Sequence, residues 1–521
     1  MMEDLRLVKS DTSLLLTRVS NFLTEQGIQS YLIGGFVRDL LLARDTADID
    51  IAVAADALEI APKVAAALGG KYVLLDEVNG VGRVVLVNQE DTSTRGKWEL
   101  DFSTLKGSIE KDLAQRDFTI DAMAIDLEEI VSHPLPPSEG RDLEKRDKVP
   151  LGFTVLIDPF KGWDDIQKGV IRVVTETAFP SDPVRLLRAV RLAAELDFTV
   201  DTETETLIRR YCQLITGVAG ERVREELLLL LAMPQAGQLL AYLDELGLLT
   251  AVIPELAQAK GVQQPRVHFW DVFDHSIKTV IAVDFLLGQG TWEYAGEEVL
   301  AAVPWSDALS QHFDRGVSSG STRRSTLKLA ALLHDVAKPQ TKAVDESGRA
   351  RFLGHAKEGA AIAVSILERL RFSAKEIKQV EVMVRHHLRP TQLSQYEVPS
   401  RRAIYRYFRD AGEAGVDILF LSLADHLATR GQHLDMAEWQ EHAQMVEYVL
   451  ARHFEEESLT VPPKLIDGHD LINVFGLSPG PEIGQILEVV REAQAAGEVT
   501  TRQEALAYIE HLLTSPPSKN K

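Results

Sequence analysis

The sequence has almost no cysteine and lacks any long apolar run. Cys212 is the single cysteine among 521 residues. No disulfide can therefore form within the chain, and a reducing compartment is expected. No uninterrupted apolar stretch approaches the ~18 residues that a membrane-spanning helix requires. The first residues, MMEDLRLVKS, carry an early acid and no apolar signal core. We therefore expect a cytoplasmic protein that does not contact a membrane.

Positive charge is also scarce, with 56 Lys and Arg against 78 Asp and Glu and a net charge of −22. Proteins that bind arbitrary nucleic acid use many basic residues to contact phosphates. Such a role is therefore disfavoured, and a defined nucleic-acid substrate is favoured instead. Arginines nevertheless cluster locally, at Arg185, Arg188, Arg191, Arg209, Arg210, Arg222 and Arg224.

The most informative segment is 31–53, YLIGGFVRDLLLARDTADIDIAV. An apolar run is followed in order by Gly34, Gly35, Arg38, Asp48 and Asp50. Side chains alternate along a strand, so Asp48 and Asp50 face the same way. Two carboxylates near a glycine turn and an arginine suit magnesium ions that carry a triphosphate. Glycine also lets backbone N–H groups approach phosphate oxygens closely. The segment therefore predicts the chemistry of nucleotide transfer.

The chain changes character along its length. Strand patterns occur at 30–34, 48–53, 72–75, 83–87 and 98–103, and helical patterns at 1–28, 37–43 and 56–68. These predict a small α/β unit. From about residue 166 the apolar spacing becomes helical, and most of the histidines fall in 262–440. Segment 288–326 is rich in Gly and Ser, so we expect a mobile insertion there.

Four further segments carry charged residues at regular spacing. They are DLAQRDFTIDAMAID (112–126), DPFKGWDDIQKGVIRVV (158–174), SDPVRLLRAVR (181–191) and ERVREELLLLL (221–231). In the third, three-residue steps separate Asp182, Arg185, Arg188 and Arg191. On a helix, these four side chains would form one ridge.

In their order, these segments and 31–53 resemble the bacterial class II tRNA nucleotidyltransferase and poly(A) polymerase family, which includes CCA-adding enzymes. The resemblance covers residues 30–260, about half the chain. It implies that Asp48 and Asp50 bind Mg²⁺. It also implies nucleotide contacts at Gly34, Gly35, Arg38, Arg116, Asp182, Arg185, Arg188 and Arg191. Asp101, in WELDFSTL, is a candidate third catalytic carboxylate.

The side chains of Asp182 and Arg185 have hydrogen-bonding groups that suit recognition of the base. Cytosine and adenine each present an exocyclic amine beside a ring-nitrogen acceptor. A carboxylate accepts from the amine, and a guanidinium donates to the acceptor. Guanine and uracil present the opposite pattern, so CTP and ATP should be favoured by ~1–3 kcal/mol for each good pairing. Arg188 and Arg191 would then clamp the triphosphate.

A second set of candidate ligands lies downstream, in helical segments. Imidazole and carboxylate groups bind divalent transition metals, and the order H…HD…H…H…D resembles the HD phosphohydrolase superfamily. That resemblance implies one metal at His275, His334, Asp335 and Asp425, and a second at His355 and His386, with Mn, Ni, Co or Fe as the ion. Two alternatives remain open: an HD fold that binds metal with little activity, and scattered structural histidines.

The resemblances together imply an α+β fold. An N-terminal nucleotidyltransferase α/β head is followed by an all-helical neck and body and by an all-helical HD domain. The predicted domains are the catalytic head at 1–150, the neck and body that bind base and RNA at 151–262, the HD domain at 263–440, and a helical tail that contacts tRNA at 441–521.

The predicted reaction is template-independent addition of C and A to tRNA 3′ ends from CTP and ATP, with phosphohydrolase activity in RNA end repair as a further hypothesis. Only a few residues separate strand 98–103 from the helix near Ile109, and this short connection resembles CC-adding relatives. The product is therefore CCA, CC or the terminal A. The rival functions are a poly(A) polymerase and an HD phosphohydrolase with an RNA-binding front half. The sequence does not predict the oligomeric state.

Overall fold

The computed structural model describes residues 4–44, 46–87, 97–132, 156–265, 267–294, 296–393, 398–458 and 464–514. Its backbone contacts divide the chain into two compact units. The first comprises Met1–Val218 and Leu246–Leu248, and the second Ala219–Glu245 and Leu249–Lys521. In the described ranges, no helix combines the length and the apolar character that crossing a bilayer requires.

The first unit begins as a mixed α/β fold and ends in helices. Its strands are β1 (Ser30–Ile33), β2 (Asp48–Val53), β3 (Lys71–Asp76), β4 (Val81–Val87), β5 (Lys97–Thr104), β6 (Ala124–Asp126), β7 (Leu156–Ile157), β8 (Val170–Ile171) and β9 (Thr199–Val200). Its helices are α1 (Asp4–Glu25), α2 (Gly34–Leu41), α3 (Ala57–Leu68), α4 (Ile109–Leu113), α5 (Leu127–Ser132), α6 (Gly162–Lys168), α7 (Ala178–Ser181), α8 (Arg185–Leu196) and α9 (Thr202–Tyr211), with 3₁₀ turns at Thr119–Asp121 and Cys212–Gly217.

A seven-stranded sheet with the order β3-β4-β5-β2-β1-β6-β7 forms the head. β2 and β5 are parallel, and their register places Asp50 opposite Asp101. The other neighbouring pairs are antiparallel. Leu32, Ile51 and Phe102 are fully buried in this sheet. A rigid, buried sheet centre therefore carries the strand that holds the predicted carboxylates.

The second unit is mainly helical. Its helices are α10 (Gly220–Ala232), α11 (Ala236–Glu245), α13 (Val272–Leu286), α14 (Glu297–Leu300), α15 (Asp307–Asp314), α16 (Arg323–Leu333), α17 (Lys338–Thr341), α18 (His355–Arg369), α19 (Ala374–His386), α20 (Arg389–Leu393), α21 (Arg401–Ala411), α22 (Gly415–Arg430), α23 (Met436–Ser458), α24 (Gly468–Phe475), α25 (Pro481–Ala495) and α26 (Arg502–Thr514). α12 (Leu248–Val252) has residues in both units. The strands are β10 (Gly316–Ser318), β11 (Ser321–Thr322), β12 (Ala343–Val344) and β13 (Ala350–Arg351), and 3₁₀ turns lie at Pro254–Ala259, Gly412–Ala414 and Gly431–His433.

Helices α13, α16 and α22 form the centre of the second unit. Nearly every side chain of α16 is buried, including Leu327, Ala330 and Leu333. A helix that is buried on nearly all faces must be surrounded by other elements. Polar side chains on these three helices are therefore held inside the unit.

The predicted α+β fold class is confirmed by this arrangement. The five predicted strands are present with ends within two residues of those expected, and α1 and α3 are present as well. Helix α2 begins at Gly34 rather than at residue 37, so the glycine pair opens the helix. Two-stranded sheets of two or three residues a strand, β8-β9, β10-β11 and β12-β13, accompany the helices. The bounds of the four predicted domains remain predictions.

The expectation of a mobile insertion at 288–326 is wrong. This segment contains α14, α15 and the β10-β11 pair. Trp292, Val299, Leu309 and Phe313 are buried. These apolar side chains anchor the segment in the core, and its Gly and Ser residues are divided between turns and the helices and strands themselves.

Candidate active sites

The first candidate site surrounds the start of α2, where Gly34 has a φ of +68°. A Cβ at Gly34 would lie 2.5 Å from the Nη1 atom of Arg116 and 3.0 Å from the Oδ2 atom of Asp50. Both the backbone conformation and the close approach therefore require glycine. The structure thus brings the glycine turn, Arg116 and one predicted metal ligand into contact.

Three predicted carboxylates lie on neighbouring strands. Asp48 and Asp50 are both on β2, and Asp101 on β5 is opposite Asp50. Burial raises the pKa of Asp50 to about 6, Arg116 opposes this rise, and the negative charges of Asp101, Asp121 and Asp48 add to it. A divalent cation would relieve that repulsion, and oxygen donors suit magnesium. The residues present therefore fit the predicted ion.

Arg83, on β4, holds the third carboxylate. Its Nε and Nη2 atoms donate to the two Asp101 oxygens at 2.7 and 2.8 Å, and its Nη1 atom pairs with Glu99. This bidentate geometry fixes the orientation of Asp101. The sequence analysis missed Arg83, although β4-β5 pairing places it directly opposite Asp101. A catalytic role for Asp101 stays a prediction.

Arg38 is buried, and its Nη1 atom donates to Asp121 Oδ1 at 2.7 Å while its Nε atom donates to Asp39 at 3.0 Å. Burial disfavours the charged guanidinium, but Asp121 and Asp39 outweigh burial and raise the pKa of Arg38. Asp121 therefore serves as the buried partner of Arg38. Nucleotide contact by Arg38 stays a prediction, and contact by Gly35 does too.

The predicted base-reading pair is close in space. The Nε atom of Arg185 lies 3.9 Å from Asp182 Oδ2. Arg185 also donates to the backbone carbonyls of Gln115 at 3.1 Å and Ala178 at 3.3 Å. The prediction that Asp182 shares one helical ridge with the three arginines is wrong. Its backbone is extended (φ −149°, ψ 92°), and α8 begins only at Arg185. The carboxylate therefore approaches the arginine from a turn.

Arg188 and Arg191 follow on α8 and contact different acids. Arg188 Nε lies 3.1 Å from Asp117 Oδ2, and Arg191 Nη1 lies 2.6 Å from Glu195 Oε2. Burial raises the pKa of Asp121, and the negative charge of the nearby Asp117 adds to this rise. Arg188 therefore belongs to the network around Arg38. The triphosphate contacts predicted for both arginines stay predictions.

The second candidate site gathers the downstream His and Asp residues in the core of the second unit. The Nε2 atom of His275 lies 3.0 Å from Asp425, 3.2 Å from His334 Nε2 and 3.5 Å from Asp335. His334 Nε2 is 3.2 Å from Asp335 Oδ2. Four predicted ligands, from α13, α22 and the turn after α16, therefore converge on one point.

A second group uses the other oxygen of Asp335. His355 Nε2 lies 3.4 Å from Asp335 Oδ1 and 3.3 Å from His387 Nε2. The assignment of His386 to this group is therefore corrected to His387. Successive residues in a helical turn point about 100° apart, so only one of two neighbouring histidines can face the group. Burial lowers the pKa of His387 to about 3, which keeps its imidazole neutral.

Backbone contacts orient three of these imidazoles. The Nδ1 atoms of His334, His355 and His387 lie 2.8, 2.6 and 2.7 Å from the carbonyls of Ala331, Phe352 and Val384. An Nδ1–H donor leaves Nε2 as the free acceptor, which is the usual arrangement of a metal-binding histidine. The donor set therefore fits divalent transition metals. Lys338, which the sequence analysis missed, places its Nζ atom 2.5 Å from Asp335 Oδ2.

Three segments of the chain match family profiles. They are "Poly A polymerase head domain" at residues 30–172, "Probable RNA and SrmB- binding site of polymerase A" at 197–260 and "HD domain" at 305–430. The first segment contains the carboxylates of β2 and β5, and the third contains most of the His and Asp cluster.

Known proteins are similar over nearly the full length. The chain is 33% identical to an A-adding tRNA nucleotidyltransferase of Deinococcus radiodurans over 93% of this chain and 96% of the relative. It is 32% identical to a CC-adding tRNA nucleotidyltransferase of Thermus thermophilus over 92% of this chain and 93% of the relative. The fold is similar to that of a CCA-adding enzyme solved with ATP, with a TM-score of 0.61 and 22% identity over 97% and 96% of the two chains. The chain therefore belongs to the class II tRNA nucleotidyltransferase and poly(A) polymerase family, and it is a nucleotidyltransferase.

Proposed function

We propose that this protein adds nucleotides to the 3′ end of tRNA from CTP and ATP without a template. The observation that carries the proposal is the contact between Gly34, Arg116 and Asp50, with Asp48 on the same strand. We further propose that the reaction takes place in the cytoplasm, in keeping with the single cysteine.

Asp48 and Asp50 would hold Mg²⁺, with Asp101 as a further carboxylate oriented by Arg83. When bound, the ion supplies charge neutralisation for the triphosphate and polarises the attacking hydroxyl. Arg116 lies over Gly34 and would position the phosphates against the backbone N–H groups of the α2 turn. Asp182 and Arg185 would accept cytosine or adenine at the Watson–Crick edge.

The product we propose is CC rather than the complete CCA. Two observations support partial addition. The full-length relatives described above are named as A-adding and CC-adding enzymes. The connection between β5 and α4 consists of only residues 105–108, and such a short connection resembles CC-adding enzymes.

An end-specific assay tests both the reaction and its product. Three tRNAs ending at the discriminator base, after one C and after two Cs are incubated with labelled CTP or ATP, and the products are sequenced. CC-addition predicts that the first two substrates are extended with CTP and that the third is not extended. Extension of the third substrate with ATP would instead show terminal-A addition, and failure of all three would reject the proposal. Asp50→Ala is the matched inactive control.

We propose a second activity, hydrolysis of phosphoesters at the His and Asp cluster. The specific observation is that Asp335 directs one oxygen at His275 and His334 and the other at His355 and His387. Two neighbouring ions sharing a carboxylate would supply a hydroxide near neutral pH. Terminal phosphates of damaged RNA ends are suitable substrates, because their removal restores a 3′-hydroxyl.

Metal analysis of the purified protein tests this second activity. Wild-type protein should retain Mn, Ni, Co or Fe, and His334→Ala combined with Asp335→Ala should lose it. If no ion copurifies or can be added, and no phosphoester is cleaved with Mn, Ni or Co present, the cluster is structural only.

We keep the four predicted domains as part of the proposal: the head at 1–150, the neck and body at 151–262, the HD domain at 263–440 and the tRNA-contacting tail at 441–521. The buried apolar cluster of α24, α25 and α26, which includes Leu471, Val490 and Ile509, supports a separate fold for the C-terminal part of the tail. A shortened chain ending near residue 464 should therefore retain catalysis on a minimal substrate and bind tRNA more weakly.

A further inference from the structure

Four carboxylates form an array on the parallel pair of strands in the head. The register of β2 and β5 places Asp48 opposite Glu99 and Asp50 opposite Asp101. Residues that are opposite each other on neighbouring strands, or two apart on one strand, point to the same face of a sheet. All four side chains therefore lie on one face, and their negative charges meet where the proposed reaction uses metal ions.

Arg83, on the neighbouring strand β4, is the cation that pairs with two members of this array. Its Nε and Nη2 atoms donate to the two oxygens of Asp101 at 2.7 and 2.8 Å, and its Nη1 atom pairs with Glu99. A guanidinium has these three nitrogen atoms as its donors. Each of them is therefore engaged by a carboxylate of β5.

The charge of Arg83 also acts on β2. The pKa of Arg83 is raised, first by its hydrogen bonds with Asp101 and further by the charges of Asp101, Glu99 and Asp48. Asp48 is one of the two proposed magnesium ligands, so an ion bound there lies within the electrostatic range of Arg83. The side chains of Arg83 and Asp101 are 29% and 23% exposed. Water therefore weakens this interaction without removing it.

A guanidinium beside a metal site opposes binding of the metal. It stabilises the charged carboxylate that would otherwise bind the ion, and it repels the ion as a like charge. A nucleotide changes this balance, because the negative charge of its triphosphate attracts both the ion and the guanidinium. An ion at Asp101 should therefore be bound weakly by the free protein and more tightly once a nucleotide is present.

We infer that Arg83 is a positioning residue that keeps Asp101 from binding a metal ion until the nucleotide is present, so that the ion at Asp101 enters together with the triphosphate. This inference rests on the proposed magnesium site and names the residue that sets the order in which it is filled. Without Arg83, the array should bind a divalent ion in the absence of nucleotide.

Manganese binding to the full-length protein without nucleotide tests this order. Mn²⁺ is suited to oxygen ligands, and the loss of its free electron paramagnetic resonance signal measures binding without any reaction. Asp50→Ala identifies the binding event of the head, since the His and Asp cluster retains its own ligands. Arg83→Gln keeps a polar side chain but loses the charge. Arg209→Gln, at an ion pair with Glu205 on α9, removes the same charge elsewhere in the first unit.

In Arg83→Gln, the head should bind Mn²⁺ at least about fivefold more tightly than in the wild type, because a like charge near the ion is lost. Arg83→Gln combined with Asp101→Asn should lose this gain, and Arg209→Gln should match the wild type. Unchanged or weaker binding in Arg83→Gln would reduce Arg83 to a structural support. A gain that persists in the double variant would overturn the role of Asp101.

The nucleotide should remove the difference between the two proteins. With saturating CTP, the Mg²⁺ concentration for half-maximal addition should differ between the wild type and Arg83→Gln by less than about twofold, because the triphosphate then pairs with Arg83. A difference as large as that for Mn²⁺ without nucleotide would mean that Arg83 opposes the ion at every stage, and the inferred order would be wrong.

The manganese measurement also separates this inference from the site on which it rests. If neither the wild type nor Arg83→Gln shows a binding event that depends on Asp50, the proposed magnesium site is rejected and the inference with it. If that event is present but does not respond to Arg83→Gln, the inference alone is rejected. The manganese measurement uses no tRNA, so the outcome of the end-specific assay does not affect it.

Discussion

Gly34 and Gly27 have almost the same backbone conformation, with φ values of +68° and +69°, but different surroundings. Nothing lies within 4 Å of a Cβ at Gly27, whereas one at Gly34 would collide with Arg116 and Asp50. Both Gly→Ala changes should destabilise the fold by about 1–2 kcal/mol through the left-handed backbone. Only Gly34→Ala should also lower nucleotide addition, by at least about tenfold, since it displaces two groups of the site. Denaturant unfolding measures the stability of both variants, and single-nucleotide addition rates measure their activity. Equal activities of Gly27→Ala and Gly34→Ala would contradict the predicted role of Gly34.

Asp50 should couple magnesium binding to pH. Its pKa is raised from 3.8 to about 6, chiefly by burial. The folded protein therefore holds this proton more tightly than the unfolded chain does. The contribution of Asp50 to stability is present below pH 3.8 and is lost as the pH rises through about 6. Mg²⁺ competes with the same proton, so the Mg²⁺ concentration for half-maximal addition should rise below pH 6 by up to about tenfold per pH unit. A requirement that stays constant between pH 5.5 and 7.5 would remove Asp50 from the metal site.

Asp182 and Arg185 should determine which base is accepted. Asp182→Ala or Arg185→Ala should reduce the preference for CTP and ATP over UTP and GTP by about 5–150-fold, since each pairing contributes ~1–3 kcal/mol. Arg188→Ala is the control on the same helix. Arg188, which lies 3.1 Å from Asp117, is predicted to contact the triphosphate. Its loss should weaken all four nucleotides alike, because the triphosphate is the same in each of them. Competition assays with mixed nucleotides measure the ratios, and unchanged selectivity in Asp182→Ala would assign base reading to another residue.

At the scale of elements, the alternation of apolar residues predicted where the strands lie. It did not predict which strands are neighbours in the sheet, and the role of Arg83 depends on that order. Alternation alone placed Asp48 and Asp50 on one face of β2. The role of Arg83 depends on β4 lying beside β5 and on β5 lying parallel to β2. Strand order is a property of the tertiary fold and has no local signal. The contacts of Arg83 and of the Arg38–Asp121 pair were therefore not predictable from spacing.

The turn that ends α19 shows the same limit. The sequence-based assignment names His386, whereas the structure places His387 against His355. Spacing alone does not distinguish the two, because helical phase depends on where the core lies. His387→Ala should lose metal from the group that contains His355, measured as the number of bound Mn²⁺ ions per chain. His386→Ala, at the half-buried neighbour outside the cluster, should retain it. If His387→Ala retained all of its metal, His387 would not be a ligand, and the sequence-based assignment of His386 would be favoured instead.

At the scale of the whole molecule, the two candidate sites draw their residues from separate units. Gly34, Asp50 and Arg116 belong to the first unit, and His334 and Asp335 to the second. Motif order along the chain was enough to indicate which residues come together in each unit, apart from His387, since each motif lies within one unit. The anchoring of segment 288–326 was not predictable, because a few buried side chains such as Phe313 outweigh a composition rich in Gly and Ser.

The two proposed activities should therefore be separable by single substitutions. Asp50→Ala removes a carboxylate from the first unit, so addition to a clean tRNA end should fall by more than about 100-fold, while bound transition metal should not change. Asp335→Ala should show the reverse, because that carboxylate directs an oxygen at each histidine pair of the second unit. Both variants are measured for addition, for metal content and for phosphoester cleavage. Asp335 is fully buried and pairs with Lys338, so Asp335→Asn, which retains the volume, controls for unfolding. If Asp335→Asn lost nucleotide addition while remaining folded, the two sites would be coupled, and the second unit would have a direct part in transfer.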